Sequence, residues 1–162
     1  MLDPELRRRL SRVNRERPSP EATPPSAAPE PRIVTLEEAV PGRVHAHEHG
    51  SLYVCERKLE SLMPKDAESI TASIGEVAKL GWPPETVLFL DIETCGLANC
   101  PLFLIGTLMV RGNEVVVEQY FARDYSEERA VLAHLSDVAS NHGMLITYNG
   151  KTFDVPYIRD RM

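Results

Sequence analysis

The chain lacks an apolar run of the roughly 18 residues that a membrane-spanning helix needs, so nothing in it is expected to cross a bilayer. It also lacks an apolar opening. "MLDPELRRRLSR" is too polar for a secretory signal, and its acidic residues do not suit an organelle transit peptide. Cysteines are few and odd in number, three in all, which speaks against a disulfide-stapled secreted fold. The expectation is a cytoplasmic protein with reduced thiols and no membrane partner. Positive charge is short as well. A net charge of −6 excludes binding to nucleic acid by charge alone, though not an enzyme whose bound cations supply local positive charge. What is present in ordinary measure is hydrophobic content, 43% of 162 residues, enough for one domain, or one domain and a tail.

Composition divides the chain into three parts. Residues 1–32 begin with a short basic helix, where Asp3 can cap, Pro4 suits the first turn, and Leu6, Leu10 and Val13 share a face. "RPSPEATPPSAAPEPR" follows as a disordered, Pro-rich linker. Residues 33–84 read as a small hairpin plus a helix. "RVHAHEHGSLYVCERKL" gives two strands around a turn at His49-Gly50-Ser51, and "DAESITASIGEVAKLG" gives a helix with Ile70, Ile74 and Val77 inward. His45, His47 and His49 alternate along the first strand and could bind zinc. No neighbouring carboxylate or cysteine pattern completes a metal signature, so an exposed polar strand face is the favoured reading. Residues 85–162 are α/β. Two apolar strands, "VLFLDIE" and "PLFLIGTLMV", are followed by a hairpin turn at Arg111-Gly112-Asn113 into "EVVVEQYFA". A helix from Ser126 follows, capped by that residue or by Asp124, then the short strand "MLITYNG" and a helix opening with "FDVPYIRDRM".

The first of these strands poses the functional question. Asp91 and Glu93 lie two residues apart at its end, so their side chains share one face. Two adjacent carboxylates repel, and burying them unpaired is costly. A divalent cation is the natural compensation, and hard divalent cations take carboxylate oxygens rather than His or Cys. The plain alternative is a pair of solvated acids at a strand end.

Together, "DIETCGL" and the later "YNGKTFDVPY" resemble two motifs of the DEDD (DnaQ-like) 3′→5′ exonucleases of the ribonuclease-H-like superfamily, and within them the YprB-type ribonuclease-H-like proteins. The five-residue step from Asn149 to Asp154 is also similar to the exonuclease domain of family B DNA polymerases. The resemblance covers about the last half of the chain. It implies a ribonuclease-H-like mixed sheet, with three antiparallel strands and then helix–strand–helix, behind a disordered N-terminal tail. It further implies a metal-dependent nuclease that hydrolyses phosphodiester bonds of DNA or RNA, with a single-stranded 3′ end as the expected substrate. Two Mg²⁺ or Mn²⁺ ions about 4 Å apart would clamp the scissile phosphate, one activating water and one stabilising the leaving oxygen. Asp91 would bridge both ions, Glu93 would help to hold one, and Asp154 would be the third ligand. Thr94, Gly96 and Leu97 would approach the terminal nucleotide. Lys151 could touch a phosphate, and Asn149 either contacts substrate or, as the favoured reading, orders its loop. Cys95 stands where relatives often carry Thr. With Cys100 it could form a redox pair or half a zinc site, although two loop thiols are ordinarily neither.

The family also carries a fourth acid and a general base, in a third motif on a later helix. After Asp154 the sequence offers only Asp160, six residues along the same helix and off that ligand's face. The sequence therefore reads as a truncated gene product or fragment, its C-terminal part missing, inactive by itself and exposed to aggregation along an open sheet edge. Two other classes remain open. One is a degenerate ribonuclease-H-like module that binds nucleic acid or protein without cutting. The other is a zinc-dependent interaction domain built on the three histidines.

Overall fold

Short turns and alternating side chains build the sheet. The computed structural model describes residues 33–96 and 100–162; the basic helix and linker expected over 1–32, and Leu97, lie outside the described residues. Strand β1 (Arg43–His47) turns at Glu48-His49 into β2 (Gly50–Lys58), where Gly50 takes a φ of 129°. Strand β3 (Val87–Thr94) is followed by β4 (Leu102–Arg111), and Gly112 with a φ of 63° turns β4 into β5 (Glu114–Phe121). That φ suits glycine, which lacks the Cβ that penalises left-handed backbone. Strand β6 is Met144–Thr147.

The six strands form one sheet in the order β1-β2-β5-β4-β3-β6. Every pairing is antiparallel except β3 with β6, which run parallel. The α/β class and the three antiparallel strands β3–β4–β5 are as expected. The boundary expected at 84/85 falls inside one unit spanning 34–162, because β2 of the preceding hairpin pairs with β5. Pairing between residues so far apart in the chain, Lys58 with Val116 and Tyr53 with Phe121, leaves no local mark in a sequence.

One face of the sheet is covered by α4 (Glu128–Ser140), led in by a 3-10 turn over Tyr125–Glu127 that Asp124 caps through Ser126 N. Leu88, Leu90 and Ile92 of β3 point to this side, where they join Leu52, Ile105, Tyr120, Val131 and Leu135. Truncating one such side chain, as in Leu88→Ala, costs about 2–5 kcal/mol. The other face is covered at one end only. There Leu59 of α2 (Leu59–Leu62) and Ala67 and Ile74 of α3 (Ala67–Gly75) pack with Val115, over Phe89, Leu108 and Val117. The helix expected to run to Gly81 changes at Glu76 into a 3-10 turn over Glu76–Leu80, directly after Gly75, a weak helix former. A one-turn helix α1 (Leu36–Ala39) precedes β1, and α5 (Asp154–Arg161) ends the described chain. No helix among the described residues is long and apolar enough to cross a membrane.

Candidate functional site

The parallel pairing of β3 and β6 sets the site. Leu90 lies opposite Thr147, so the chain leaves β6 beside the stretch of β3 that carries Asp91 and Glu93. Both carboxylates are exposed while Ile92 between them is buried, which is the alternation of a strand with one face in the core. Asp91 faces Gly106 across the β3–β4 ladder and Glu93 faces Leu104, and the register shifts immediately after, between Glu93 and Thr94. Among the described residues neither carboxylate has a hydrogen bond or an ion pair.

The segment after β6 is a tight turn that delivers the third acid. Asn149 O accepts from Thr152 N at 3.1 Å and from Phe153 N at 2.9 Å, and the Thr152 hydroxyl donates to the Asn149 side chain. A Cβ on Gly150 would lie 1.8 Å from the Thr147 hydroxyl oxygen, so only glycine fits there. Asn149 is thus engaged in ordering its loop. Asp154 follows as the first residue of α5 and is only 3% exposed. Four carboxylates are buried among the described residues, and three have partners. Glu118 accepts from Tyr120 (2.6 Å) and Arg111 (2.9 Å), Glu127 binds Arg123, and Glu128 binds Arg161 and Leu102 N (2.8 Å). Asp154 has no hydrogen bond or ion pair among the described residues. Its carboxylate oxygens are not sealed in, because among the described residues Arg161 Nε is the one buried side-chain N or O atom without a hydrogen-bond partner; they stay open to solvent or to a bound cation.

The donor chemistry therefore fits a hard cation: three carboxylates, none engaged elsewhere, two of them side by side. The convergence does not follow as directly. Among the described residues, no three His, Cys, Asp or Glu side chains stand close enough together to hold one ion. The structure places Asp91 and Glu93 on one face and Asp154 at the head of the helix beyond the neighbouring strand.

The remaining candidates divide. The Thr94 hydroxyl donates to Gly96 O at 2.6 Å, and Cys95 N donates to Pro101 O at 3.1 Å. A Cβ on Gly96 would meet Cys100 Sγ at 2.6 Å, so that turn is closed tightly, and Cys95 and Cys100 are both free thiols. Tyr157 of α5 donates its hydroxyl to Cys100 O, tying the turn after β3 to the helix that carries Asp154. Lys151 is exposed and unpaired among the described residues. Asp160 is exposed and paired with its neighbour Arg159 (3.2 Å), apart from the other acids.

The histidines do not form the exposed polar face that was the favoured reading. His45 stacks 4.7 Å from His134 of α4, His47 Nε2 lies 3.1 Å from Asp137 of the same helix, and His49 sits in the turn. Burial, followed by the neighbouring His45, holds His134 below the ordinary histidine range. Two polar clusters had no counterpart in the sequence reading. Glu118, Tyr120, Thr107 and Arg111 form a chain on the α4 side of the sheet; burial pushes the Glu118 carboxyl up, but hydrogen bonds from Tyr120 and Arg111 outweigh it and leave it lowered. The Arg123 hydrogen bond holds Glu127 down to about 2. Some missed features had local signals: Arg123 and Glu127 are four residues apart, Glu118 and Tyr120 are two apart on one strand, and Thr35-x-x-Glu38 is a capping box that closes α1 with both bonds at 3.3 Å.

Comparison with known proteins now bears on the class. The family model of the RNase_H superfamily matches residues 88–162, the part that carries all three acids. The mixed sheet, with its antiparallel strands, parallel β6 and crossover helix α4, is of the ribonuclease-H-like kind. Among curated proteins the chain is similar to YprB of Bacillus subtilis (strain 168), itself an uncharacterized protein, with 35% identity over 85 residues. That alignment takes in 50% of this chain, which spans about 20% of the length of YprB. No solved structure matches the chain.

Proposed function

We propose that this chain carries the acidic site of a metal-dependent nuclease that hydrolyses phosphodiester bonds of DNA or RNA. One observation carries the reading: among the described residues, Asp154 is the buried acidic residue whose carboxylate has no partner, and it stands at the head of the helix that follows β6, the strand paired in parallel with β3. The match of residues 88–162 to the RNase_H superfamily supports it. In this reading Asp91, Glu93 and Asp154 hold two Mg²⁺ or Mn²⁺ ions. When bound, such a pair activates water and stabilises the leaving oxygen. The chain's own residues do the rest. Asp91 and Glu93 present their oxygens from a rigid strand, and Asp154 enters from a turn locked by Asn149 and Gly150. Thr94, Gly96 and Leu97 approach the terminal nucleotide, and Lys151 offers its charge to a phosphate. We assign 3′→5′ exonuclease action on single-stranded ends, in the cytoplasm, as the finer form of the same proposal.

A second reading, nucleic-acid binding without hydrolysis, is favoured by the absence of three converging donors among the described residues. The test separates the two. The full chain is incubated with a 5′-labelled single-stranded oligonucleotide and Mn²⁺. Shortening from the 3′ end that stops in chelator and in Asp91→Asn supports the nuclease; metal-dependent binding with no shortening assigns the binding module instead.

A further inference from the structure

The sheet face that carries Asp91 and Glu93 is covered by α2 and α3 only at one end. Over the rest lies an open groove of about 490 Å³. Its floor is one cross-strand row, Val117, Leu108, Phe89 and Ile146, in register across β5, β4, β3 and β6. These side chains are half-buried, and Phe89, Leu108 and Val117 also pack against the helical cluster. The next row toward the site is Gln119, Gly106 and Asp91. Gly106 has no side chain, so the space between Gln119 and Asp91 is left open down to the sheet. Tyr148, directly after β6, stands at the rim, fully exposed.

We propose that this groove receives a nucleobase of the strand whose phosphate is held at Asp91, with Tyr148 as its stacking partner. The inference rests on the nuclease reading and deepens it. Three features commit the groove to this occupant. Asp91 is itself part of the wall, so a ligand that presents a phosphodiester to that carboxylate brings the adjoining base over the floor. The floor is apolar and flat, while Gln119 and Thr147 supply polar groups at its margin, which matches a planar ring with apolar faces and polar edges. A freely exposed tyrosine beside the site is the group that sequence-tolerant single-strand binders use against bases. The stack explains why a strand, and not a duplex with its bases already stacked, would be accepted.

The experiment compares two short oligonucleotides, one ending in 2-aminopurine and one in an abasic residue, bound to the full chain with Ca²⁺ in place of Mg²⁺ so that binding is read apart from hydrolysis. The expected result is about tenfold tighter binding of the base-bearing strand, the scale of one base–aromatic stack, with quenching of its fluorescence. Tyr148→Ala removes both the preference and the quenching and leaves abasic binding unchanged, whereas Tyr148→Phe retains them. Because Tyr148 is fully exposed, its loss does not threaten folding, and Gln119→Ala gives a second probe of the groove. Equal, Ca²⁺-dependent binding of the two strands overturns the groove assignment while the phosphate site stands. Binding of neither strand overturns both. A dimer in sedimentation that Tyr148→Ala dissolves, together with equal binding of the two strands, gives the groove to a second copy of the chain and overturns the proposal.

Discussion

Glu118 and Asp154 are both buried carboxylates, and they are treated in opposite ways. Glu118, 5% exposed, has Tyr120 and Arg111 within hydrogen-bond reach, and its neighbour Thr107 continues the chain. Asp154, 3% exposed, has no such partner among the described residues. The first arrangement stabilises the sheet and engages both carboxylate oxygens within the protein. The second leaves binding capacity unspent at the end of the sheet where two further acids stand. Among the described residues, Asp154 keeps its carboxylate oxygens free of protein partners and open to solvent, and this contrast is the physical basis of the nuclease reading.

The comparison can be broken in graded steps. The largest effect is expected from Asp91→Asn, which removes charge from the proposed phosphate site and should lower cleavage on the order of a hundredfold or more, the scale of losing one electrostatic stabiliser, as read by initial rates on the labelled strand. Next is Glu118→Ala. It leaves the fully buried Tyr120 hydroxyl with Thr107 alone, and urea unfolding should show a loss of about 1–3 kcal/mol. Arg111 adds little to that figure because its side chain is half exposed.

Asp154→Ala should cost little in metal-free protein by the same urea titration. Its carboxylate has no partner to lose among the described residues and keeps contact with solvent. That leaves about 0.3–1 kcal/mol lost where an acid favours the first turn of a helix. The smallest effect concerns His134, which burial keeps below the usual histidine range. Its neutral form favours the folded state, so this contribution is full above an unfolded-state value of about 6.5 and declines as pH falls through the lower folded value. His134→Gln should flatten that part of a stability-against-pH curve.

What the sequence made legible was local. The i, i+2 spacing put Asp91 and Glu93 on one face, Gly112 marked its hairpin, and the step from Asn149 to Asp154 set the turn before α5. What it hid depended on partners far along the chain. His45 and His47 were correctly placed on one strand face, yet nothing nearby revealed that His134 and Asp137 would cover them. The run Val115-Val116-Val117-Glu118 reads as apolar strand; Tyr120, two residues on, shares the face of its acid, but the Arg111 that also satisfies it is visible only once β4 and β5 pair. The same holds for β2, whose pairing with β5 carries the sheet past the boundary expected at 84/85. The Thr35-x-x-Glu38 capping box was local and readable.

The most direct measurement is thermal unfolding of the full chain and of Asp154→Ala through a Mn²⁺ titration that starts in chelator. The account predicts a saturable rise in melting temperature for the natural sequence, and for Asp154→Ala a starting temperature close to the natural one with little or no further rise. A natural chain that ignores Mn²⁺, or an Asp154→Ala protein that responds to it equally, would contradict the claim that Asp154 is held for a cation.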